Sequence, residues 1–195
     1  MTDRIEREEI HHRRLDLRFY GRSDGLYEVE GRLVDRKSKP FRRPLATEDT
    51  PPGRPMHDIV VRLVIDESLL VHDAQAFMQA TPFAICHGAA QTLEPLKGLR
   101  IGAGWNKRVR ERLGAAASCT HITELLGPLA TTALQGLSPQ RLARTSGPDG
   151  EQERQAKVDS CYAYAAGRDV VARLWPHLHR PAPDEGSARP HAAAE

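Results

Sequence analysis

The feature that most constrains the fold of this chain is a change of hydrophobic period between its two halves. From His57 to Asp66 the residues alternate, with Ile59 and Leu63 among those on the apolar side. A period of two is typical of a β-strand with a buried face. From Cys119 to Leu134 the apolar residues recur every three or four positions, which predicts an amphipathic helix. Strands followed by helices predict an α+β fold.

Three further segments alternate in the same way: His12 to Tyr20, Leu26 to Lys37, and Leu69 to Met78. Asp24-Gly25 supplies a turn between the first two, because Asp and Gly tolerate positive φ. We therefore predict an antiparallel sheet of about four strands, made of two N-terminal hairpins and packed against a C-terminal set of helices. The segment from Lys39 to Met56 holds five prolines and almost no periodicity, so we expect a long exposed loop and a candidate lid.

The second half is expected to hold several helices. One is predicted from Pro82 to Leu96, and a second covers Trp105 to Leu113 because apolar residues recur there every fourth position. Pro128 should kink or divide the helix that begins at Cys119, because proline removes a backbone hydrogen bond. Residues 159–175 are expected to form either a hairpin or a short helix.

Length and charge limit the classes of protein to which the chain can belong. The 195 residues fit a single α+β domain over 12–178, with disordered ends at 1–11 and 179–195. With 28 basic and 26 acidic residues the net charge is +2, which argues against nucleic-acid or membrane partners. The chain has no transmembrane-length apolar run and no apolar leader, so we expect a cytoplasmic protein. Its three cysteines are therefore expected to be reduced.

The densest chemistry lies where the last long helix is predicted to begin. His121 and Glu124 are three residues apart and share a helix face, so they form a candidate acid/base pair. Cys119 falls in the predicted first turn, where the helix dipole favours a thiolate. The alternative is that Cys119 is a small buried hydrophobe, His121 caps the helix and Glu124 is solvated.

A second group of polar residues lies on the hairpins. His57 follows the proline-rich loop, and residues at the mouth of such a loop often line sites. Asp58 and Arg62 share the opposite strand face and are expected to pair with each other. Glu30 of the first hairpin meets Arg62 if the two hairpins pair. The alternative for this group is a solvated sheet surface.

The cysteines offer a different interpretation. Cys86, Cys119, Cys161 and His121 are candidate ligands for zinc or an iron–sulfur cluster if the fold brings them together. The chain has no Cys-x-x-Cys spacing, no dinucleotide fingerprint and no Gly-x-Ser-x-Gly elbow. We therefore expect no organic cofactor.

Several short motifs, taken together, resemble those of a known family. They are His12-Arg13-Arg14, the run from Tyr20 to Gly31, Asp35-Arg36-Lys37, the run from Met56 to Leu63, Pro82 with Cys86, Gly104-Trp105, Cys119-Thr120-His121 with Glu124-Leu125-Leu126, and Cys161 with Ala163. Over 12–176 this set resembles a bacterial family catalogued as domain of unknown function 2889. The resemblance implies that the polar residues form a shared site.

Together these patterns favour an enzyme that performs lyase-type acid/base chemistry on an aromatic or carbonyl compound. The expected catalytic residues are His57, His121, Glu124, Arg62 and Glu30. The expected substrate-binding residues are Tyr27, Trp105, Asp58, Thr120 and Arg22. The alternatives are a metal- or cluster-handling protein and an interaction module that binds a partner through the loop from Lys39 to Met56. An exposed sheet edge or the leucine stripe past Pro128 is a candidate surface for a homodimer.

Overall fold

The four predicted strands form one antiparallel sheet in the computed structural model of the protein, which describes residues 5–147 and 150–181. The strands are β1 (His11–Gly21), β2 (Tyr27–Lys37), β3 (Pro55–Ile65) and β4 (Val71–Ala80), and each pairs with the next along the chain. The predicted α+β class and the two hairpins are confirmed. Of the segments predicted to be disordered, residues 1–4 and 182–195 lie outside the described residues, and His11 already belongs to β1.

The register of the sheet brings three polar residues into one row. In the first hairpin Gly21 lies opposite Tyr27. Counting backward along β1 and forward along β2 then places Arg13 opposite Asp35. In the next pair of strands Asp35 lies opposite His57. Residues that lie opposite one another in an antiparallel sheet point to the same face. Arg13, Asp35 and His57 therefore form a row across three strands.

The sheet is irregular at the end where this row lies. The register of β2 and β3 shifts after Asp35, which leaves Met56 as an extra residue in β3. A second shift next to Asp58 leaves Gln79 as an extra residue in β4. Bulges of this kind bend a strand and redirect its side chains. This end of the sheet is therefore shaped differently from its regular middle.

Two α-helices and three short 3-10 helices follow the sheet in the first part of the chain. The α-helices are α1 (Trp105–Leu113) and α2 (Thr120–Gly136), and the 3-10 helices are Ala84–Gln91, Glu94–Leu96 and Ala115–Ala117. The prediction of α1 is confirmed. None of the described helices is long and apolar enough to cross a membrane.

Two details of the predicted helices are wrong, and of the predicted kink or division at Pro128 the division is not observed. The segment predicted as one α-helix from Pro82 to Leu96 forms two 3-10 helices, because Pro95 has no N–H and the Thr92 hydroxyl binds the Ala89 carbonyl. Cys119 is the residue that precedes α2, with extended backbone, and does not lie in its first turn. Pro128 does not divide α2, which runs as one helix through it.

Helix α2 packs along the core face of the sheet. Gly31 in the middle of β2 leaves room for it, because a Cβ there would lie 3.0 Å from Leu129 Cδ2 and 3.4 Å from Leu125 Cδ2. Near the end of the helix, a Cβ at Gly136 would collide with the ring of Phe19 in β1. The beginning of α2 therefore lies over the opposite end of the sheet, where the polar row is.

The contacts of the chain divide it into two compact units, Met1–Leu137 and Ser138–Glu195. The described part of the second unit contains α3 (Ser138–Thr145), α4 (Glu151–Lys157), α5 (Asp169–Leu174) and a 3-10 helix, Pro176–Leu178. Of the two alternatives for residues 159–175, the short helix is the one observed. Within this unit Val171 is buried, and Trp175 stacks on Tyr164 with ring centroids 5.7 Å apart.

Candidate functional site

Asp35 is the centre of the most densely connected polar group in the first unit. Its side chain is only 2% exposed and lies on the core face of β2. Arg13 donates from Nε to Oδ1 at 2.7 Å and from Nη2 to Oδ2 at 2.8 Å, a two-pronged pairing that fits a carboxylate. Burial acts to raise the pKa of Asp35, but the hydrogen bonds and charges of Arg13 and His57 lower it to about 2. Asp35 is therefore ionised at neutral pH.

His57 is held by this carboxylate through one ring nitrogen. Its Nδ1 lies 3.0 Å from Asp35 Oδ2. An ionised carboxylate can only accept hydrogen bonds, so Nδ1 carries the hydrogen of this pair. In the neutral imidazole the lone pair is then on Nε2, which leaves this atom able to accept a proton. His11 also approaches Asp35, with Nε2 3.2 Å from Oδ1.

His121 reaches the same carboxylate from the first turn of α2. Its Nε2 lies 3.6 Å from Asp35 Oδ2, and its ring centroid lies 3.7 Å from that of His57 with the planes tilted by 30°. Burial lowers the pKa of His121, and the charge of a protonated His57 lowers it further. Its other nitrogen, Nδ1, is 3.7 Å from Cys119 Sγ. The site therefore contains two imidazoles in close contact, and burial disfavours the protonated form of His121.

Glu124 completes the group through Arg13. Arg13 Nη1 donates to Glu124 Oε1 at 2.8 Å and to Oε2 at 2.6 Å. The Asp35 hydrogen bond, opposed by burial and assisted by Glu124, raises the pKa of Arg13 well above its ordinary value. Arg13 thus joins β1 to both β2 and α2. We call Arg13, Asp35, His57, His121 and Glu124 the Asp35 cluster.

A cavity of about 480 Å³ opens beside the two imidazoles, and we call it the His cavity. His57 and His121 belong to its lining. The other polar lining residues are Thr81, Cys86, Thr92, Ser118, Cys119 and Thr120, and the apolar ones are Met78, Pro82, Phe83, Ile85, Ala89, Ala116 and Ala117. Its size is within the range of sites for small molecules, which are mostly apolar with a few polar groups.

The structure brings together four of the predicted site residues, namely His57, His121, Glu124 and Thr120. Three other predicted residues, Glu30, Asp58 and Arg62, lie on the opposite face of the sheet, because side chains alternate along a strand. There Arg62 Nη2 donates to Glu30 Oε2 at 2.9 Å, so the predicted meeting of Glu30 with Arg62 is confirmed.

The predicted pairing of Asp58 with Arg62 is wrong. Asp58 accepts instead from Arg32 of the neighbouring strand, at 2.8 Å from Nε and 2.6 Å from Nη2. The register explains this partner, because β2 runs beside β3 and places Arg32 within reach on the same face. These ion pairs brace the outer face of the sheet.

The remaining predicted substrate-binding residues have structural contacts of their own. Trp105 is buried and donates from Nε1 to the Leu126 carbonyl at 2.9 Å. Tyr27 stacks on Phe19 with ring centroids 5.4 Å apart. Arg22 pairs with Asp24 of the first turn, at the end of the sheet far from the Asp35 cluster.

The candidate metal ligands predicted from the sequence are divided between the two units. Cys86 and Cys119 both line the His cavity, whereas Cys161 is exposed and lies in the second unit. Within the described residues, the group whose ligand atoms converge within 4.8 Å of one another is Asp35, His57 and His121. This group contains no sulfur.

Arg13 and Asp35 belong to the Asp35 cluster but not to the predicted catalytic or substrate-binding residues, although both lie in the motifs of the family resemblance. A usable signal was present, since Asp35 falls on the same side of the β2 alternation as Val29 and Leu33, which are buried. A carboxylate on an apolar strand face needs a partner. The tight turn at Asp24 fixes the hairpin register and so identifies Arg13 as that partner.

Comparison with known proteins gives one match. A family described as a protein of unknown function, DUF2889, matches residues 11–135. Among curated proteins and among solved structures, none matches the chain. The matched residues include the whole sheet and every residue of the Asp35 cluster. Since this match extends over well more than half of the chain, the protein belongs to the DUF2889 family.

Proposed function

We propose that the protein is an enzyme that performs general acid–base catalysis on a small organic molecule in the His cavity. The observation that carries the proposal is the 3.0 Å contact between His57 Nδ1 and a buried carboxylate that is already ionised. A carboxylate in this position fixes the imidazole tautomer and stabilises the imidazolium that forms when Nε2 accepts a proton. His57 is therefore the proposed base.

A second imidazole gives the site a second proton carrier. The ring centroids of His57 and His121 are 3.7 Å apart, so protonation of one ring opposes protonation of the other. A lyase that eliminates across a carbon–oxygen or carbon–carbon bond needs such a pair, because one group removes a proton and another returns one to the leaving group. We therefore propose lyase-type chemistry, with His57 as base and His121 as the second carrier.

Arg13 and Glu124 are proposed positioning residues. Arg13 occupies both oxygens of Asp35 and is itself held by Glu124, so the carboxylate cannot rotate away from His57. Glu124 thus contributes by fixing Arg13, which differs from the direct acid/base role that its helical spacing from His121 suggests. Removing a positioning residue should lower the rate constant with little effect on substrate affinity.

The test compares His57→Gln with a matched control. His72 makes the same kind of contact, with Nε2 3.0 Å from Asp66 Oδ2, but is exposed and lies outside the His cavity. Turnover of a library of small carbonyl and hydroxy compounds is followed by mass spectrometry. His57→Gln should lower the turnover of any substrate found by about 100-fold or more, and His72→Gln should not change it. A folded His57→Gln protein with turnover within about threefold of wild type contradicts the proposal.

A metal centre is the second candidate function, on a different observation. Asp35, His57 and His121 present ligand atoms within 4.8 Å of one another, and two imidazoles with one carboxylate are a known set for zinc or iron. Arg13 counts against it, because its guanidinium already binds both carboxylate oxygens and repels a cation. Metal content of untagged protein purified without oxygen separates the two. A stoichiometric metal that disappears in His121→Ala would replace the acid–base proposal.

A further inference from the structure

Apart from its two histidines, the His cavity has no ionisable nitrogen or carboxylate among the described residues that line it. Of the described residues that line it, none is Lys, Arg, Asp or Glu. Arg62, which the sequence predicted as a catalytic residue, lies on the other face of the sheet and is paired with Glu30. A guanidinium contact to an anionic substrate would therefore have to come from a neighbouring surface.

A second cavity of about 420 Å³ adjoins the first, and we call it the loop cavity. The two share three lining residues, Pro82, Phe83 and Ile85. The rest of the loop cavity is formed by Ala84 and by the loop residues Arg43, Pro44, Leu45 and Ala46. The two cavities are therefore neighbours that share an apolar surface.

Arg43 is the charged residue of this second cavity, and its charge has no partner among the described residues. Its Nη1 donates weakly to the Thr81 carbonyl at 3.4 Å, and Thr81 also lines the His cavity. Its Nε is buried without a hydrogen-bond acceptor. A buried donor without an acceptor is unfavourable, so the guanidinium of Arg43 is incompletely satisfied within the described residues.

Other arginines of this chain show which acceptor fits. Arg13 and Arg32 each bind a carboxylate through Nε and Nη2, with one oxygen on each nitrogen. In Arg43, Nη1 reaches Thr81 and Nε is buried, so Nη2 is the nitrogen that has no partner among the described residues. A carboxylate is the anion that arginine binds elsewhere in this chain, and it would neutralise the unpaired charge.

We propose that the substrate of the His cavity is a monocarboxylate with an apolar body, and that Arg43 binds its carboxylate. The apolar body lies against Phe83 and Ile85, and the other end of the molecule reaches His57 and His121. This inference rests on the proposed function, because it takes the His cavity as the place of reaction. It also assigns a binding role to the proline-rich loop.

Binding is measured separately from turnover so that each proposal can fail by itself. The full-length protein is labelled with carbon-13 at its methionine methyl groups. Met78 lines the His cavity, whereas Met56 lines neither cavity and serves as an internal reference. The probes are benzoate, cinnamate and octanoate, each paired with the primary alcohol of the same skeleton. Titration of the Met78 resonance gives a dissociation constant for each probe.

We expect at least one carboxylate to bind about tenfold more tightly than its alcohol, which corresponds to 1.4 kcal/mol. Arg43→Gln should reduce that preference to within about twofold, and Arg43→Lys should restore part of it. The control is Arg42→Gln, because Arg42 is the adjacent residue but is exposed and paired with Asp49 at 2.7 Å. It should leave the preference unchanged.

The proposal is overturned if alcohols bind as well as carboxylates, if Arg43→Gln keeps the preference, or if no carboxylate at about 10 mM shifts the Met78 resonance. His57→Gln distinguishes this result from the proposed function. If that variant keeps both turnover and carboxylate binding, the acid–base role fails and the role of Arg43 stands. If His57→Gln loses turnover while Arg43→Gln has no effect on carboxylate binding, the acid–base role stands and the role of Arg43 fails.

Discussion

Asp35 shows how a single buried charge organises this site. Its carboxylate lies on the apolar face of the sheet and accepts hydrogen bonds from Arg13 and His57 while remaining 2% exposed. A buried carboxylate without partners would be strongly unfavourable, so the charge persists because the guanidinium is placed opposite it by the hairpin register. The energy of the Asp35 interactions should therefore depend on pH.

Asp35→Asn tests this dependence. The folded pKa of Asp35 is about 2, below its ordinary 3.8, so the ionised group stabilises the fold in full above about pH 4. That contribution, roughly 2 kcal/mol, is lost as the pH falls toward 2. Asp35→Asn should lower the free energy of unfolding by about 3 kcal/mol at pH 7, and the difference should narrow by about 2 kcal/mol near pH 2. Urea denaturation at both pH values measures it. If the difference in unfolding free energy between wild type and Asp35→Asn is the same at both pH values, the lowered pKa of Asp35 is contradicted.

Trp105 has a structural role that can be separated from substrate binding. Its indole N–H donates to the Leu126 carbonyl of α2 and so ties α1 to α2. Trp105→Phe removes this donor and should cost about 1–2 kcal/mol of unfolding free energy. Because Trp105 lines neither cavity, carboxylate binding followed at Met78 should stay the same. A folded variant whose binding falls by about tenfold would restore the expected substrate contact.

At the level of elements, the packing of α2 on the sheet sets the position of His121. The helix approaches β2 closely at Gly31, where a Cβ would lie 3.0 Å from Leu129 Cδ2. Gly21 at the end of β1 has nothing within 4 Å of its own Cβ position and is a matched control. Both glycines are in strands, so alanine brings the same gain in backbone entropy at each.

Gly31→Ala is expected to be less stable than Gly21→Ala by about 1–3 kcal/mol, because Leu129 must move to admit the methyl group. The same movement shifts the beginning of α2, so the proton resonances of the His121 ring should change in Gly31→Ala alone. Thermal denaturation and NMR spectra of the two variants measure this. Equal stability of the two variants would show that α2 is not tightly packed against β2 at Gly31.

The elements were predictable from the sequence to a larger extent than the site. Alternation found all four strands to within two residues, and the spacing from Trp105 to Leu113 found α1. The segment from Pro82 to Leu96 misled the prediction, because its apolar spacing suits a helix while Pro95 prevents a regular one.

For the candidate site, the sequence predicted His57, His121 and Glu124, which the structure brings together, but not the residues that join them. Alternation along one strand does not show which residues of another strand lie opposite, so Asp35 and Arg13 required the hairpin register. Arg62 was predicted as a catalytic residue together with His57, but the alternation of the strand places it on the other face of the sheet.

At the scale of the whole molecule, two independent boundaries fall at nearly the same place. The family match ends at residue 135, and the first compact unit ends at Leu137. The buried apolar cluster around the sheet, α1 and α2 also consists of residues up to Leu137. A unit that contains its own hydrophobic core has what it needs to fold alone.

A chain truncated after Leu137 should therefore fold and keep its site. We expect a single cooperative urea transition and the same carboxylate-induced shift at Met78 as in the full chain, because both cavities lie before this boundary. Truncation after Leu125 is the control, since it cuts α2 and removes Leu129 from the core, and it should give no cooperative transition. If the longer fragment also lacks a transition, the first unit depends on residues after 137 for its stability. If it folds but does not bind, those residues contribute to the site itself.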